Sequence, residues 1–191
     1  MPQKAKFDKD EIVDASIRLI EERGTDALTA RALGEKLGCS ARPIFTVFDT
    51  MDEVYGEVTR AAKAIYKGYV EAGLKEKLAF KGVGMAYIRF ASERPTLFRL
   101  LFMTERQSIP DTDSVLGVIE ENYDRIVDSI TDNYPVDAET AKRIYRHLWI
   151  YSHGIAVLTV TKVCAFDEAE ISAMLTEVFV GLLKNNIGGE V

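Results

Sequence analysis

The stretch TARALGEKLGCSARPIFTVF, residues 29–48, decides the fold of this chain. Its first half predicts a short helix, because Thr29 can cap the helix start and Leu33 and Leu37 fall four residues apart on one apolar stripe. Gly38 then ends this helix, since glycine readily adopts the left-handed conformation that follows many helices. A tight turn therefore joins the two halves of the stretch.

The second half of the stretch predicts another short helix. Ser40 is a favourable N-cap, and Pro43 falls in the first turn, where a missing N–H costs little. Ile44 and Phe48 form its buried stripe. Four residues point outward: Ala41, Arg42, Phe45 and Thr46. A solvated helix would carry glutamate and lysine there, so an exposed arginine and aromatic ring are typical of a helix-turn-helix that reads DNA.

An upstream helix completes a small helical core. The segment 8–23 has the periodicity of a helix with one buried face, and Gly24 stops it. The residues of this face are Ile12, Ala15, Leu19 and Ile20. Three helices can therefore pack together around the helix-turn-helix.

Residues 8–55 resemble the DNA-binding region of TetR-type transcriptional regulators. The resemblance lies in a helix, a glycine turn, and the pattern Thr-x-x-x-Leu-Gly-x-x-Leu-Gly-Cys-Ser-x-x-x-Ile-Phe from Thr29 to Phe45. Phe48 and the start of a fourth helix follow. This resemblance implies an all-α regulator whose partner is a double-stranded DNA operator.

Three positions depart from the pattern of that family. The family commonly has Tyr, His and Lys, which contact DNA phosphates, where this chain has Phe45, Val47 and Met51. Pro43 and the Phe48-x-x-Met51 run resemble a subgroup of the family. An alternative hypothesis therefore stays open, namely a helical ligand-binding or protein-interaction dimer with weakened or lost DNA binding.

The phosphate contacts must then come from other positions. Candidates are the helix N-termini near Thr29 and Thr50 and the basic arm with Lys4 and Lys6, because free backbone N–H groups and lysines bind phosphate. The predicted DNA-binding residues are Lys4, Lys6, Thr29, Ala30, Ser40, Ala41, Arg42, Phe45, Thr46 and Thr50.

The charge distribution excludes a protein that coats nucleic acid without specificity. The chain has 191 residues, and 24 Lys and Arg against 30 Asp and Glu give a net charge of −6. Residues 1–48 carry equal numbers of both signs, so the negative charge falls on residues 49–191. Binding to DNA must therefore depend on a few groups in register, with the acidic body held away from the duplex.

Cysteine placement and hydropathy predict a cytoplasmic protein. Cys39 and Cys164 lie in separate regions, so reduced thiols are expected. The first residues are charged and lack the apolar core of a signal peptide. Residues 147–166 are apolar enough to mimic a membrane span, but His153 and Lys162 within them favour a buried helix over a membrane anchor.

No sequence pattern indicates an enzyme, a metal site or a cofactor. The two histidines, His147 and His153, point in different directions on one helix and do not form a metal-binding pair. Glycine-rich phosphate loops and nucleophile motifs are absent from the sequence. Two acidic pairs are predicted to lie on solvated faces: Asp52-Glu53 and Glu120-Glu121.

Helical periodicity continues beyond residue 48 without strand alternation. The predicted helices span residues 50–72, 77–93, 96–103, 113–131, 137–163 and 167–185. The expected fold is all-α with about nine helices. A three-helix DNA-binding head, residues 1–49, precedes a helical ligand-binding and dimerisation domain, residues 50–191, in which residues 50–72 form the connecting helix.

The last helix is apolar on too many sides for a simple surface helix. The TetR-type resemblance implies that the last two helices form a homodimer, and a two-fold dimer implies a palindromic operator. The predicted dimer interface comprises Ile171, Leu175, Val178, Phe179 and Leu182.

Two further segments resemble one C-terminal subtype of TetR-type regulators. These are the Pro-x-Leu-Phe-Arg segment within residues 93–102 and the Trp…His-Gly element at residues 149–154. Together they predict a pocket for a small apolar or aromatic effector. The predicted pocket residues are Tyr87, Phe90, Phe98, Phe102, Tyr123, Tyr145, Trp149 and His153. The alternative is that Trp149 and His153 are core residues with satisfied N–H groups.

Overall fold

The computed structural model describes residues 6–105, 111, 116 and 120–187, and the regular structure in these ranges is helical. They contain eight α-helices and two 3-10 turns, which confirms the all-α prediction. The chain divides into two compact units, Met1–Ile65 with Arg94–Thr104, and Tyr66–Glu93 with Glu105–Val191. The predicted division after residue 49 stays a prediction.

The first unit begins with helix α1, Lys9–Arg23, which a capping box starts. The Asp8 carboxylate accepts a hydrogen bond from the Glu11 N–H at 2.8 Å, and the Glu11 carboxylate accepts one from the Asp8 N–H at 2.9 Å. A 3-10 turn, Thr25–Ala27, and helix α2, Ala30–Lys36, follow. The predicted apolar face of α1 is buried: Ile12, Ala15, Leu19 and Ile20.

The segment after α2 is not the α-helix that Ser40 and Pro43 predict. It forms turns and one 3-10 turn, Ile44–Thr46. The Thr46 N–H bonds three residues back to the Pro43 carbonyl at 3.2 Å, and the Thr46 hydroxyl donates to the same carbonyl at 2.6 Å. The Ile44 and Val47 N–H groups also bond three residues back, and the Phe48 N–H at the end of the segment bonds four residues back. Three-residue bonds therefore predominate, and no α-helix propagates through the segment.

Helix α3, Met51–Gly73, has residues in both units. It begins as predicted, since the Thr50 hydroxyl oxygen accepts a hydrogen bond from the Glu53 N–H at 3.2 Å. Helix α4, Ala79–Glu93, belongs to the second unit, and helix α5, Pro95–Phe102, returns to the first. Proline at the first position suits the start of α5, because no helical acceptor is available there.

The second unit is completed by helices α6, Tyr123–Thr131, α7, Ala138–Val160, and α8, Glu168–Ile187. The starts of α7 and α8 are capped by aspartates. The Asp137 carboxylate accepts from the Thr140 N–H at 2.7 Å, and the Asp167 carboxylate from the Glu170 N–H at 2.8 Å. Helices α4, α6, α7 and α8 pack against one another around the core of this unit.

The predicted helix 113–131 is interrupted, since Leu116 is helical but α6 begins only at Tyr123. Residues 120–122 are not helical, and residues 112–115 and 117–119 lie outside the described residues. The Glu120 carboxylate accepts a hydrogen bond from the Asn122 backbone N–H at 3.0 Å. This local bond competes with helical hydrogen bonding at the interruption before Tyr123.

Helix α7 is shorter than the predicted helix 137–163. It ends at Val160, and Lys162 adopts a left-handed φ of 58° that an α-helix does not continue through. Across the described ranges, no helix combines the length and the apolar character needed to cross a membrane.

Candidate functional site

The helix-turn-helix is held together by a close approach at Gly34. A Cβ atom at this position would lie 2.9 Å from the Ser40 carbonyl carbon and 3.0 Å from the Ala41 backbone nitrogen. Only glycine therefore allows α2 to pack directly on the segment that follows it. Gly38 makes the turn with a φ of 66°. These two glycines fix where the segment 40–48 leaves α2.

The predicted recognition face is exposed even though its backbone is not α-helical. Arg42 and Thr46 are exposed, Phe45 is 44% exposed, and Ala41 is half-buried. Arg42 forms no ion pair with any described residue. The opposite side of the segment anchors it, since Ile44 and Phe48 are buried. An arginine and an aromatic ring thus face solvent on a segment whose apolar side is fixed in the core.

The other predicted DNA-binding residues lie at helix starts and on the N-terminal arm. Thr29 is exposed, and its hydroxyl oxygen accepts a hydrogen bond from the Ala32 N–H at 3.2 Å, while Ala30 is half-buried. Ser40 and Thr50 are exposed. Lys6 is exposed, with its Nζ 5.2 Å from the centroid of the Phe7 ring. Lys4 lies outside the described residues.

Two exposed residues of the first unit, Arg31 and Tyr55, were not among the predicted DNA-binding residues. The Arg31 side chain on α2 is 91% exposed, and Tyr55 on α3 is 37% exposed. Arg31 follows the predicted contact Ala30, and Tyr55 falls one helical turn after Met51. Both residues lie close to the starts of α2 and α3, and this position in the sequence could have indicated them as candidate phosphate contacts.

A small cavity lies inside the second unit. Its volume is about 20 Å³, room for about one water molecule. The wall is largely aromatic and comprises Tyr66, Phe80, Val83, Gly84, Tyr87, Tyr145, Leu148, Trp149 and Ser152.

Three of the predicted pocket residues line this cavity: Tyr87, Tyr145 and Trp149. Phe90 and Tyr123 pack behind the wall, with ring centroids 5.3 Å from Tyr66 and 5.6 Å from Tyr145 respectively.

Phe98 and Phe102 do not line the cavity. Both lie on α5, which belongs to the first unit, and their ring centroids are 5.1 Å apart. The resemblance of residues 93–102 to a family segment therefore did not predict where this segment lies in the fold. A helix that returns to the first unit after α4 cannot be inferred from helical periodicity.

His153 contacts two of the wall residues. Its Nδ1 lies 2.8 Å from the Tyr87 hydroxyl oxygen, and its ring stacks on Trp149 with centroids 5.2 Å apart. Burial lowers the pKa of His153. The indole Nε1–H of Trp149 is buried without a hydrogen-bond partner among the described residues, so the alternative of a satisfied core tryptophan does not hold for its N–H.

The prediction that both acidic pairs are solvated is wrong for Glu120. Glu120 is 3% exposed, and its Oε2 accepts a hydrogen bond from the Tyr66 hydroxyl at 2.7 Å. Burial raises the pKa of the Glu120 carboxyl. Glu121 is exposed and accepts from Lys67. The spacing of Glu120 could have predicted its burial, because it falls four residues after the apolar Leu116, which is buried.

The predicted dimer residues of α8 are mostly part of the core of the chain itself. Ile171, Leu175 and Phe179 are buried, and the Phe179 ring stacks on Phe80 with centroids 3.8 Å apart. They therefore present no free surface to a second copy, whereas Val178 and Leu182 are half-buried. The exposed side of α8 is a shallow groove lined by Ala169, Ser172, Ala173, Thr176, Glu177, Val180, Gly181 and Lys184.

Two family models match this chain. Residues 12–58 match the model described as bacterial regulatory proteins, tetR family, and residues 80–181 match the tetracyclin repressor-like C-terminal domain. The chain belongs to the TetR family. TetR-family membership makes it a DNA-binding transcriptional regulator whose helix-turn-helix is the segment built around Gly34 and Gly38, and it implies operator binding and dimerisation.

Solved structures share the TetR fold over nearly the whole chain. The regulatory protein SCO4313 is 20% identical with a TM-score of 0.68, covering 92% of this chain and 94% of its own. A TetR-like transcriptional regulator from Rhodococcus sp. RHA1 is 12% identical with a TM-score of 0.60, and the match covers 97% of this chain and 100% of that regulator. The fatty acid degradation regulator FadR from Bacillus halodurans is 16% identical with a TM-score of 0.57, covering 92% and 94%. No curated protein sequence matches the chain.

Proposed function

We propose that this TetR-family regulator is a repressor that binds a palindromic operator as a homodimer and is released by a small apolar or aromatic ligand. The observation that carries the proposal is the exposed face of the segment 40–48, where Arg42 and Phe45 meet solvent while Ile44 and Phe48 hold the segment in the core. A rigid segment with an exposed arginine suits reading of the major groove.

Phosphate binding would come from groups on either side of this face. The helices that start after Thr29 and Thr50 present first-turn N–H groups, which attract phosphate. Arg31 and Tyr55 add an exposed guanidinium and a phenol on the same two helices. They would replace the polar contacts that the family commonly has where this chain has Phe45, Val47 and Met51.

The homodimer would use the exposed sides of α7 and α8. The groove on α8 has alanine, serine, threonine and glycine along it, and such small side chains allow a second helix to approach closely. On α7, Ile150 and Leu158 are 51% and 38% exposed and flank Gly154 at helical spacing. Exposed apolar side chains on helices mark a surface for protein association.

Helix α3 would couple the ligand to the operator. It is one continuous helix, its first part belongs to the helix-turn-helix unit, and its residue Tyr66 lines the cavity. Ligand pockets typically have roughly 300–1,000 Å³, so a ligand must displace wall residues of this smaller cavity. A ligand that favours the displaced arrangement weakens operator binding, and the operator weakens ligand binding by the same factor.

Fluorescence anisotropy with labelled DNA tests this proposal. DNA flanking the gene of this protein is compared with a shuffled sequence of the same composition, at one fixed salt concentration because phosphate contacts are salt-dependent. Preferential binding to the flanking DNA, reversed by a member of a small-molecule library, supports a ligand-released repressor. Equal binding to both DNAs would replace it by the second candidate, a helical dimer that has lost operator recognition, which the apolar Phe45, Val47 and Met51 favour.

A further inference from the structure

A buried carboxylate that forms no ion pair with a described residue contacts Tyr66 of the cavity wall. Glu120 accepts hydrogen bonds from the Tyr66 hydroxyl and from the Asn122 backbone N–H, at 2.7 and 3.0 Å. No lysine, arginine or histidine in the described ranges forms a salt bridge with it. A buried charge is costly unless an opposite charge compensates it. The core of the second unit therefore holds an acidic group with which no basic side chain of the described residues forms an ion pair.

The aromatic rings of the cavity wall contact one another, and one of them, Tyr66, donates its hydroxyl hydrogen bond to this carboxylate. The Tyr66 and Tyr87 rings meet edge to face with centroids 5.9 Å apart, and Tyr87 meets Trp149 at 6.5 Å. Burial, together with the nearby charge of Glu120, raises the pKa of the Tyr66, Tyr87 and Tyr145 phenols. Glu120 thus lies close to three phenols of the cavity wall. Ring faces attract cations, and rings grouped around a cavity bind ammonium groups.

The described residues of the cavity wall carry no positive charge that would oppose a cation. The lining residues include no lysine or arginine. Burial lowers the pKa of His153, which favours its neutral form beside Tyr87. Trp149 is half-buried, and its Nε1–H forms no hydrogen bond with a described residue. Movement of Trp149 would therefore enlarge the cavity without breaking a hydrogen bond of its indole.

We propose that the ligand of this cavity is an organic cation, an amine or quaternary ammonium group carried on an aromatic or apolar body, with Glu120 as its countercharge. The proposal rests on the proposed ligand-binding role of the second unit, and it narrows the apolar or aromatic class given there. The ammonium group lies among the tyrosine rings, and the apolar body occupies the space that Trp149 vacates.

A pair of probes of equal shape tests the charge directly. Phenyltrimethylammonium and tert-butylbenzene differ in one atom and in charge. Binding of each is measured by calorimetry and by the fluorescence of Trp149, the only tryptophan of the chain. The wild-type protein should bind the cation roughly tenfold or more tightly than the neutral probe. This comparison requires no variant and therefore no assumption about the folding of one.

The matched variants are Glu120→Gln and Glu121→Gln, which remove one negative charge from adjacent residues, one buried and one exposed. Glu120→Gln should abolish the preference for the cation, and Glu121→Gln should keep it. Far-UV circular dichroism establishes that both variants are folded.

Three results would overturn the inference. Equal binding of both probes to the wild type would show that the cavity takes a neutral ligand, which leaves the proposed repressor function intact. Equal losses in both variants would show only a general effect of net charge. Binding of neither probe would show that the cavity does not admit an organic cation, and operator binding measured on the same sample distinguishes this result from failure of the proposed repressor function.

Discussion

Arg42 is the only lysine or arginine between Lys36 and Arg60 in the sequence, and we propose that it reads bases at the centre of the helix-turn-helix. Arg42→Ala should weaken binding to the preferred operator roughly 5- to 150-fold and relax the preference at one position per half-site, because a bidentate contact to guanine is lost. Anisotropy titrations on operator variants measure both effects.

Arg31→Ala is the matched control for Arg42→Ala. Arg31 is also exposed but lies on α2 and pairs with Glu35 at 3.1 Å. Its loss should weaken binding to operator and shuffled DNA by similar factors and reduce the salt dependence, as expected for a phosphate contact. If Arg42→Ala behaves in this same way, Arg42 contacts phosphate and the bases are read elsewhere.

Glu120 should make the stability of the protein depend on pH. Burial raises the pKa of its carboxyl above the ordinary value of 4.5, so on raising the pH the unfolded chain loses this proton first. The native state is therefore destabilised as the pH rises from about 4.5 through the pKa of the folded protein. Glu120→Gln should remove this loss.

Urea unfolding at about pH 4 and about pH 7.5 measures the effect of Glu120. The free energy of unfolding of Glu120→Gln should increase relative to that of the wild type between the two pH values, while Glu121→Gln follows the wild type. A constant difference across this range would mean that Glu120 keeps an ordinary pKa in the folded protein.

At the scale of the secondary-structure elements, helix starts could be predicted where a capping side chain bonds the first turn, and they could not be predicted where other local bonds compete. Asp8, Thr29, Thr50 and Asp137 act as caps because capping needs only residues within one turn. Local hydrogen bonds that compete with the helical ones made the prediction wrong at two places, in the segment 40–48 and before Tyr123. The Thr46 hydroxyl takes the Pro43 carbonyl, and the Glu120 carboxylate takes the Asn122 N–H.

The packing of α2 against the following segment gives a prediction for Gly34. Gly34→Ala places a methyl group 2.9 Å from backbone that belongs to a tight turn, so neither side can yield easily. We expect a loss of about 1–3 kcal/mol in the free energy of unfolding. Gly56→Ala is the control, because a Cβ there meets open space within α3 and should be neutral or stabilising. Equal effects of both substitutions in urea unfolding would show that the close approach at Gly34 does not constrain the turn.

At the scale of the whole molecule, the site residues that sequence reasoning misplaced are those whose partners lie far away in the chain. The wide apolar stripe of α8 predicted a dimer interface, but Phe179 covers Phe80 within the same chain. Periodicity shows which side of a helix is apolar, and it does not show whether the covering surface is intramolecular. Tyr87, Tyr145 and Trp149 of the cavity wall were predicted from a shared helical face or an aromatic character. Tyr66 on α3 and the buried Glu120 were missed.

The exposed groove of α8 gives a prediction for assembly. Val180→Glu places a charge at its centre, where Val180 is 38% exposed, and should convert a dimer into monomers and weaken operator binding with it. Val163→Glu is the control, because Val163 is 73% exposed outside the helices. Analytical ultracentrifugation measures the state of assembly. A Val180→Glu protein that sediments as a dimer would locate the interface on another surface.

The sharing of α3 between the two units and the return of α5 to the first bear on how such regulators can be recombined. The head is discontinuous in sequence, since Pro95–Phe102 belongs to it although α4 does not. A chimera joined at residue 49 would separate the helix-turn-helix from Val54, Val58 and Leu97, three fully buried residues of the same unit. A new DNA specificity is therefore better transplanted by exchanging surface residues of the segment 40–48 than by exchanging the head as a cassette.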